Sequence, residues 1–183
     1  LSLVGSEMCI RDRAKASQFF QDSRQKEKDM DIAQQKNLIL SQWNYAGWRD
    51  GQEAIVDHML GKKGDCIISI PTGGGKSVLF QGPAVSRAMI TQRLTLVITP
   101  LRALMQDQVE ELKKRGFINN VDYLSGDRLY PEVQNIYREI RSGNLALLYI
   151  TPERFRVRSF INVLYQRMEM DGGLEYVVFD EAH

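Results

Sequence analysis

A glycine-rich loop and a pair of adjacent carboxylates carry the chemistry legible in this chain of 183 residues. Ile70-Pro71-Thr72-Gly73-Gly74-Gly75-Lys76-Ser77 follows the β-prone run Cys66–Ile70 and opens onto an apolar helical pattern beginning Val78-Leu79-Phe80. Glycines, lacking a Cβ, let backbone N–H groups turn toward a bound polyphosphate. The N-terminus of the helix that follows adds positive potential at the same place. Thr72, Gly73, Gly74 and Gly75 would wrap the phosphates, Lys76 would reach the outer two, and the Ser77 hydroxyl would be a ligand of Mg²⁺. The strict form of such a loop carries glycine where this chain has Ile70.

The second group is Asp180-Glu181-Ala182-His183, delivered at the end of the apolar run Tyr176-Val177-Val178-Phe179. In α/β sheets, ligands bind outside the carboxyl ends of the strands, so loop and carboxylates can converge there. Asp180 would hold Mg²⁺. Glu181 would orient and deprotonate a water attacking the terminal phosphate.

The elements that must position these groups alternate along the chain. Helical patterns are expected at Gln52–Leu60, Lys76–Met89, Leu101–Arg115, Pro131–Arg141 and near Phe155–Met170. Strands are expected at Cys66–Ile70, Leu94–Thr99, Val121–Leu124, Leu145–Ile150 and Tyr176–Phe179. Such alternation predicts an α/β fold with a parallel sheet flanked by helices on both faces. Residues 14–42 are polar and charge-mixed without Gly or Pro, and read as a separate helical segment ahead of the domain at 43–183.

Composition sets outer limits. With 24 basic and 23 acidic residues the net charge is +1, so any nucleic-acid surface must be local. The sequence contains no apolar run of about 18 residues, the length a membrane span needs. Two cysteines, Cys9 and Cys66, supply neither a disulfide framework nor metal spacing and fit a reducing compartment. A cytoplasmic protein, in a bacterium the cytoplasm or nucleoid, is the expectation. Leu3-Val4-Gly5-Ser6-Glu7-Met8-Cys9-Ile10-Arg11-Asp12-Arg13 is too short and charged for a signal peptide. It is similar to the conceptual translation of a transposon adapter used in sequencing libraries, so residues 1–13 are expected to be foreign to the fold. The same codons in independently prepared genomic DNA would overturn that reading.

From about Leu40 to His183 the chain resembles the RecQ-type DNA helicases of superfamily 2, through ordered segments. Trp43-Asn44-Tyr45-Ala46-Gly47-Trp48-Arg49-Asp50-Gly51-Gln52 is similar to that family's adenine-reading segment, with Asn44 where the family usually has Gly. The resemblance implies that Tyr45 stacks on adenine and that Arg49 and Gln52 contact the base. A glutamine amide suits adenine because it offers a donor and an acceptor side by side. Thr99-Pro100-Leu101-Arg102 and Thr151-Pro152-Glu153-Arg154 are similar to segments that grip one DNA strand. In each, a strand ends in Thr-Pro and a helix starts, so a free helix N-terminus, a hydroxyl and an arginine can form a phosphate site. Thr99, Pro100, Arg102, Thr151 and Arg154 are the implied DNA contacts, with Ser125-Gly126 a weaker one. A helix cap with proline in its first turn accounts for the same residues without any ligand.

The resemblance implies a P-loop NTPase domain of RecA-like fold, ATP and Mg²⁺ as cofactors, and DNA as partner. It implies ATP hydrolysis coupled to 3′–5′ translocation and duplex unwinding, with a second RecA-like domain supplying arginine fingers. In that class the strand after the acidic box lies between the phosphate-loop strand and the acidic strand. The expectation is therefore an incomplete sheet lacking its central strand, Lys76 and Asp180 loosely held, and little activity from these residues alone. Other readings remain open: an RNA helicase or defence-system translocase of the same superfamily, or a non-catalytic, nucleotide-gated nucleic-acid-binding module.

Overall fold

Parallel strands cannot be joined by tight turns, so the alternating pattern has to fold with its helices as crossovers. A computed structural model of the chain describes residues 30–61, 64–71, 73–171 and 173–181 and shows that arrangement. Thr72, Ala182, His183 and the readings made for residues 1–13 and 14–29 lie outside the described residues. Four strands, β1 (Thr95–Ile98), β2 (Val121–Leu124), β3 (Leu147–Ile150) and β4 (Val177–Phe179), form one parallel sheet in the order β2-β3-β1-β4. Thr95 lies opposite Leu147, Val121 opposite Leu147, and Leu96 opposite Val177.

Strand side chains alternate between faces, and here both faces are buried. Val97, Val121, Leu147 and Tyr149 point into one core. That core is shared with α1 (Ile32–Trp43), α2 (Gln52–Leu60), α3 (Lys76–Thr91) and α4 (Arg102–Lys114). Leu96, Ile98, Leu124, Leu148 and Ile150 point into the other, beneath α5 (Tyr130–Ser142) and α6 (Arg158–Asp171). This double covering is why β1 and β3 read as continuous apolar runs.

Three packing details set the position of α3, the helix that opens at Lys76. Its Gly82 lies against α1 so closely that a Cβ there would stand 2.6 Å from Ile39 Cγ2. At its far end Arg87 Nε donates to Glu175 Oε1 at 2.9 Å and Thr91 Oγ1 donates to Glu175 Oε2 at 3.0 Å. Glu175 stands just ahead of β4, so this buried carboxylate ties α3 to the strand that carries Asp180. Pro83 sits inside α3 and, lacking an N–H, leaves one carbonyl of the previous turn without its helical donor.

The structure departs from the sequence reading at Cys66–Ile70, which forms no strand. Ile68 and Ile70 pack on the first core while Ile67 is fully exposed. A strand exists only beside a neighbour. Among the described residues the sheet ends at β4, whose Val177 and Phe179 are themselves largely exposed. The turn after β3 is a 3₁₀ helix, Pro152–Arg156, so α6 starts at Arg158 rather than near Phe155.

Candidate functional site

Because all four strands run the same way, their carboxyl ends share one edge, and the chemically capable residues gather there. Asp180 follows β4 directly. Its backbone N–H donates to Ile98 O at 2.9 Å, extending the ladder, and its Oδ1 accepts from the Glu181 N–H at 3.1 Å. Glu181 has φ 56°, a left-handed conformation that costs any residue with a Cβ energy and is often found at sites of function. Across from them, α3 begins at Lys76. The Lys76 ammonium stands 3.0 Å from Glu181 Oε1 and 3.4 Å from Asp180 Oδ1. The Glu181 hydrogen bond, with the Asp180 charge behind it, raises the lysine above its ordinary value against partial desolvation. The expectation of loosely held charges is therefore corrected: Lys76 is anchored by both carboxylates.

Two carboxylates already converge on one cation, and Ser77, the next residue of α3, would add a hydroxyl oxygen to them. That chemistry fits a hard divalent ion such as Mg²⁺.

The loop itself needs its glycines. Gly73 and Gly75 have φ 78° and 75°. A Cβ on Gly74 would lie 2.3 Å from Ile70 Cγ2 and 2.9 Å from Pro71 O, and one on Gly75 would lie 2.8 Å from Gln52 Nε2. The last contact shows where the Trp43–Gln52 segment goes. Gln52, buried at the start of α2, donates from Nε2 to Gly74 O at 3.0 Å and accepts the Arg49 N–H at 3.0 Å. Arg49 Nη1 donates to Gly73 O, also at 3.0 Å. The two residues expected to read a base thus clasp the carbonyls of the phosphate loop. Tyr45 is half-buried and lines a cavity of about 200 Å³ together with Trp43, Gly75, Ser77, Gln81 and Gln108.

A second cluster forms where β1, β2 and β3 end. Thr99 and Thr151 are buried there, while Pro100 and Arg102 are exposed. The Thr99 hydroxyl accepts the Leu101 N–H at 3.4 Å. The Thr151 hydroxyl reaches Glu153, whose carboxyl is held below the usual range first by its own backbone N–H and then by this bond. Each hydroxyl therefore has a partner two residues further along the chain. Arg154 donates to the Ser125 carbonyl, and Arg102 Nη2 would lie 3.6 Å from a Cβ on Gly126. Two arginines, the buried Ser125 with its carbonyl bonded to Arg154, and the exposed Gly126 consequently share one patch. Asp127 and Glu153 lie in the field of Arg102 and temper its charge.

The sequence reading missed a buried polar contact between the two clusters. Gln81 Nε2 donates to Gln108 Oε1 and to Tyr149 Oη, each at 2.7 Å. A lone glutamine in the apolar start of α3, four residues after Ser77, was the available signal.

Comparison with known proteins bears on the same residues. Residues 49–183 match the family described as DEAD/DEAH box helicase. The chain is 36% identical over 147 residues to the ATP-dependent DNA helicase RecQ of Pasteurella multocida, an overlap of 80% of this chain and 21% of that protein. It is 38% identical over 137 residues to the RecQ-like DNA helicase BLM of Xenopus laevis, covering 72% of this chain and 9% of that one. To the ATP-dependent helicase SGS1 of Saccharomyces cerevisiae it is 36% identical over 138 residues, covering 75% and 9%. The chain spans about a fifth of the length of the bacterial relative.

Proposed function

The chain belongs to the DEAD/DEAH box helicases, and to their RecQ type, and from that premise we propose that it is the ATP-binding motor domain of an ATP-dependent DNA helicase. One observation supports this above the rest: Lys76, at the mouth of a glycine loop, faces the Asp180-Glu181 pair at 3.4 and 3.0 Å. In this reading the outer phosphates of ATP replace the carboxylates as partners of Lys76. Released from the ammonium, Glu181 becomes available as the base that takes a proton from the attacking water. Ser77 and Asp180 would hold Mg²⁺, which supplies charge neutralisation at the phosphate oxygens. Thr72, Gly73, Gly74 and Gly75 wrap the phosphates through their backbone N–H groups. Tyr45 provides a stacking face, while Gln52 and Arg49 turn from the loop carbonyls to the adenine edge.

DNA is held by its backbone at Thr99, Pro100, Arg102, Thr151 and Arg154, contacts that position a strand without reading its bases. The 3′–5′ direction is carried by the family resemblance alone. A second RecA-like domain is the expected partner across the nucleotide, with the bacterial cytoplasm or nucleoid as location. No helix among the described residues is long and apolar enough to cross a membrane.

As 183 residues in isolation, the chain should bind nucleotide weakly and turn it over poorly. Lys76 is already satisfied by its own carboxylates, and among the described residues the strand bearing Asp180 is paired on one side only. Positioning supplies most of phosphoryl-transfer catalysis. Hydrogen exchange with Mg²⁺ and a non-hydrolysable ATP analogue should protect amides from Gly73 to Val78, and no protection would overturn the motor reading. Strong DNA-stimulated ATP turnover by the isolated chain, abolished in Lys76→Ala, would overturn the proposal of inactivity alone.

A further inference from the structure

The clusters at the strand ends are joined by one buried side chain. Gln81 lies four residues beyond Ser77 on α3, so both occupy the same face of that helix and both line the 200 Å³ cavity beside the phosphate loop. One Gln81 amide hydrogen goes to Gln108 Oε1 on α4 and the other to Tyr149 Oη on β3, each at 2.7 Å. The helix α4 begins at Arg102, straight after Thr99-Pro100. Tyr149 precedes Thr151 by two residues and shares its side of the strand. The phosphate-loop helix is therefore hydrogen-bonded to the element behind each Thr-Pro strand end.

We propose that Gln81, Tyr149 and Gln108 are positioning residues that make nucleotide binding at the phosphate loop and backbone binding at the Thr99–Arg102 and Thr151–Arg154 ends a single coupled event. This rests on the motor reading above. In this inference the first turn of α3 adjusts as Lys76 exchanges Glu181 for a phosphate, and Gln81, one turn further on, carries the adjustment inward. Gln81 is 4% and Tyr149 1% exposed. If Gln81 moved alone, its amide hydrogens would lose both acceptors and the buried Tyr149 hydroxyl its donor. The lower-energy path is for α4 and the end of β3 to move with it. Burial and the nearby Asp180 charge both push the Tyr149 hydroxyl up, so it stays a neutral member of the network at every working pH.

The test is linkage, measured on the whole chain. Anisotropy of a labelled oligothymidylate gives the Kd for single-stranded DNA with and without Mg²⁺ and a non-hydrolysable ATP analogue. A labelled analogue gives the reciprocal measurement. In the parent chain each ligand should change the affinity of the other by at least about fivefold, and by the same factor in both directions. In Tyr149→Phe each ligand alone should bind within about twofold of the parent, while the mutual effect drops below about twofold. Gln108→Glu keeps an acceptor for Gln81 and should retain the linkage, and Gln108→Leu should lose it. Gln108 is only half-buried, so this pair decides the matter even if Tyr149→Phe fails to fold. A purely structural role would lower the melting temperature and leave the linkage factor unchanged. Linkage surviving in both Tyr149→Phe and Gln108→Leu, or absent from a parent chain that binds both ligands, overturns the inference. A parent chain that binds neither ligand overturns the motor reading, and the inference with it.

Discussion

Replacing Glu175 by Gln should destabilise the protein far more than removing any of its surface ion pairs. The Glu175 side chain is wholly buried and Arg87 keeps 18% of its side-chain surface. Stripping one partner from a buried pair costs about 3–5 kcal/mol, because the remaining charge is stranded. Arg87 is partly wet, which brings the loss down to about 2 kcal/mol. Glutamine keeps one acceptor for Arg87, but its amide must now donate to the Thr91 hydroxyl, whose proton is left to the Arg87 carbonyl, and exchanging charge-assisted bonds for neutral ones adds up to about 1 kcal/mol. The total is about 2–3 kcal/mol, a large share of the roughly 5–15 kcal/mol of a typical domain. In a chain of this size it should lower Tm by about 4–12 °C. The control is Lys36→Ala. Lys36 bridges Glu53 and Asp57 at 2.7 and 2.9 Å, but both carboxylates are exposed, so the change should stay within about 1 kcal/mol. Urea denaturation of the three proteins measures the difference directly. A Glu175→Gln loss below about 0.5 kcal/mol, the range of ordinary surface changes, would refute the claim that this carboxylate pins α3 to β4.

Other consequences are open to measurement. Gly82→Ala adds helix propensity worth about 0.5–1 kcal/mol but forces a methyl into Ile39, costing about 1–3 kcal/mol; a net loss near 1 kcal/mol is expected in denaturant titrations, and a gain would contradict the packing of α1 on α3. Lys76 is raised above its ordinary 10.5, so its pairing stabilises the fold fully at lower pH and fades as pH climbs through the raised value. The stability difference between the parent and Lys76→Met should therefore be constant near neutrality and shrink only above about pH 10; a difference that shrinks on acidification between pH 8 and 6 (about two units below that window) would contradict it. Arg102→Ala should weaken single-stranded DNA binding equally for different sequences and reduce the salt slope by about 0.7, the share of one phosphate contact. Sequence-dependent losses in filter binding would place Arg102 against bases instead.

Which features were legible depended on whether a residue's own neighbourhood decides its conformation. Leu147–Ile150 is apolar at every position because both its faces are covered, and that pattern is visible without knowing what covers it. Gly73-Gly74-Gly75-Lys76-Ser77 is legible because few other contexts demand three glycines ahead of a lysine at a helix start. Cys66–Ile70 has the same β-prone chemistry, but a strand depends on a partner, and sequence carries no statement about whether a neighbour pairs. The clasp of Gln52 and Arg49 on the loop is likewise hidden, since it joins residues 22 and 24 positions apart. Thr99 and Thr151 read as phosphate contacts from their Thr-Pro context alone, and what that context hid is that each hydroxyl also has a partner two residues on, the Leu101 N–H and the Glu153 carboxylate. Gln81 escaped notice because glutamine is ordinary on an amphipathic helix until tertiary packing buries it against Tyr149, and the half-buried Gln108 shows itself only as its partner.

Calorimetric titration with a non-hydrolysable ATP analogue and Mg²⁺, run on the parent chain, Lys76→Ala and Asp180→Asn, tests the central claim most directly. The account predicts measurable binding to the parent that requires Mg²⁺. Each variant should weaken it at least about tenfold, a loss of about 1.4 kcal/mol, while retaining the parental fold. Equal affinity in all three proteins, or binding indifferent to Mg²⁺, would show that the meeting of Lys76 with Asp180 and Glu181 is not a nucleotide site.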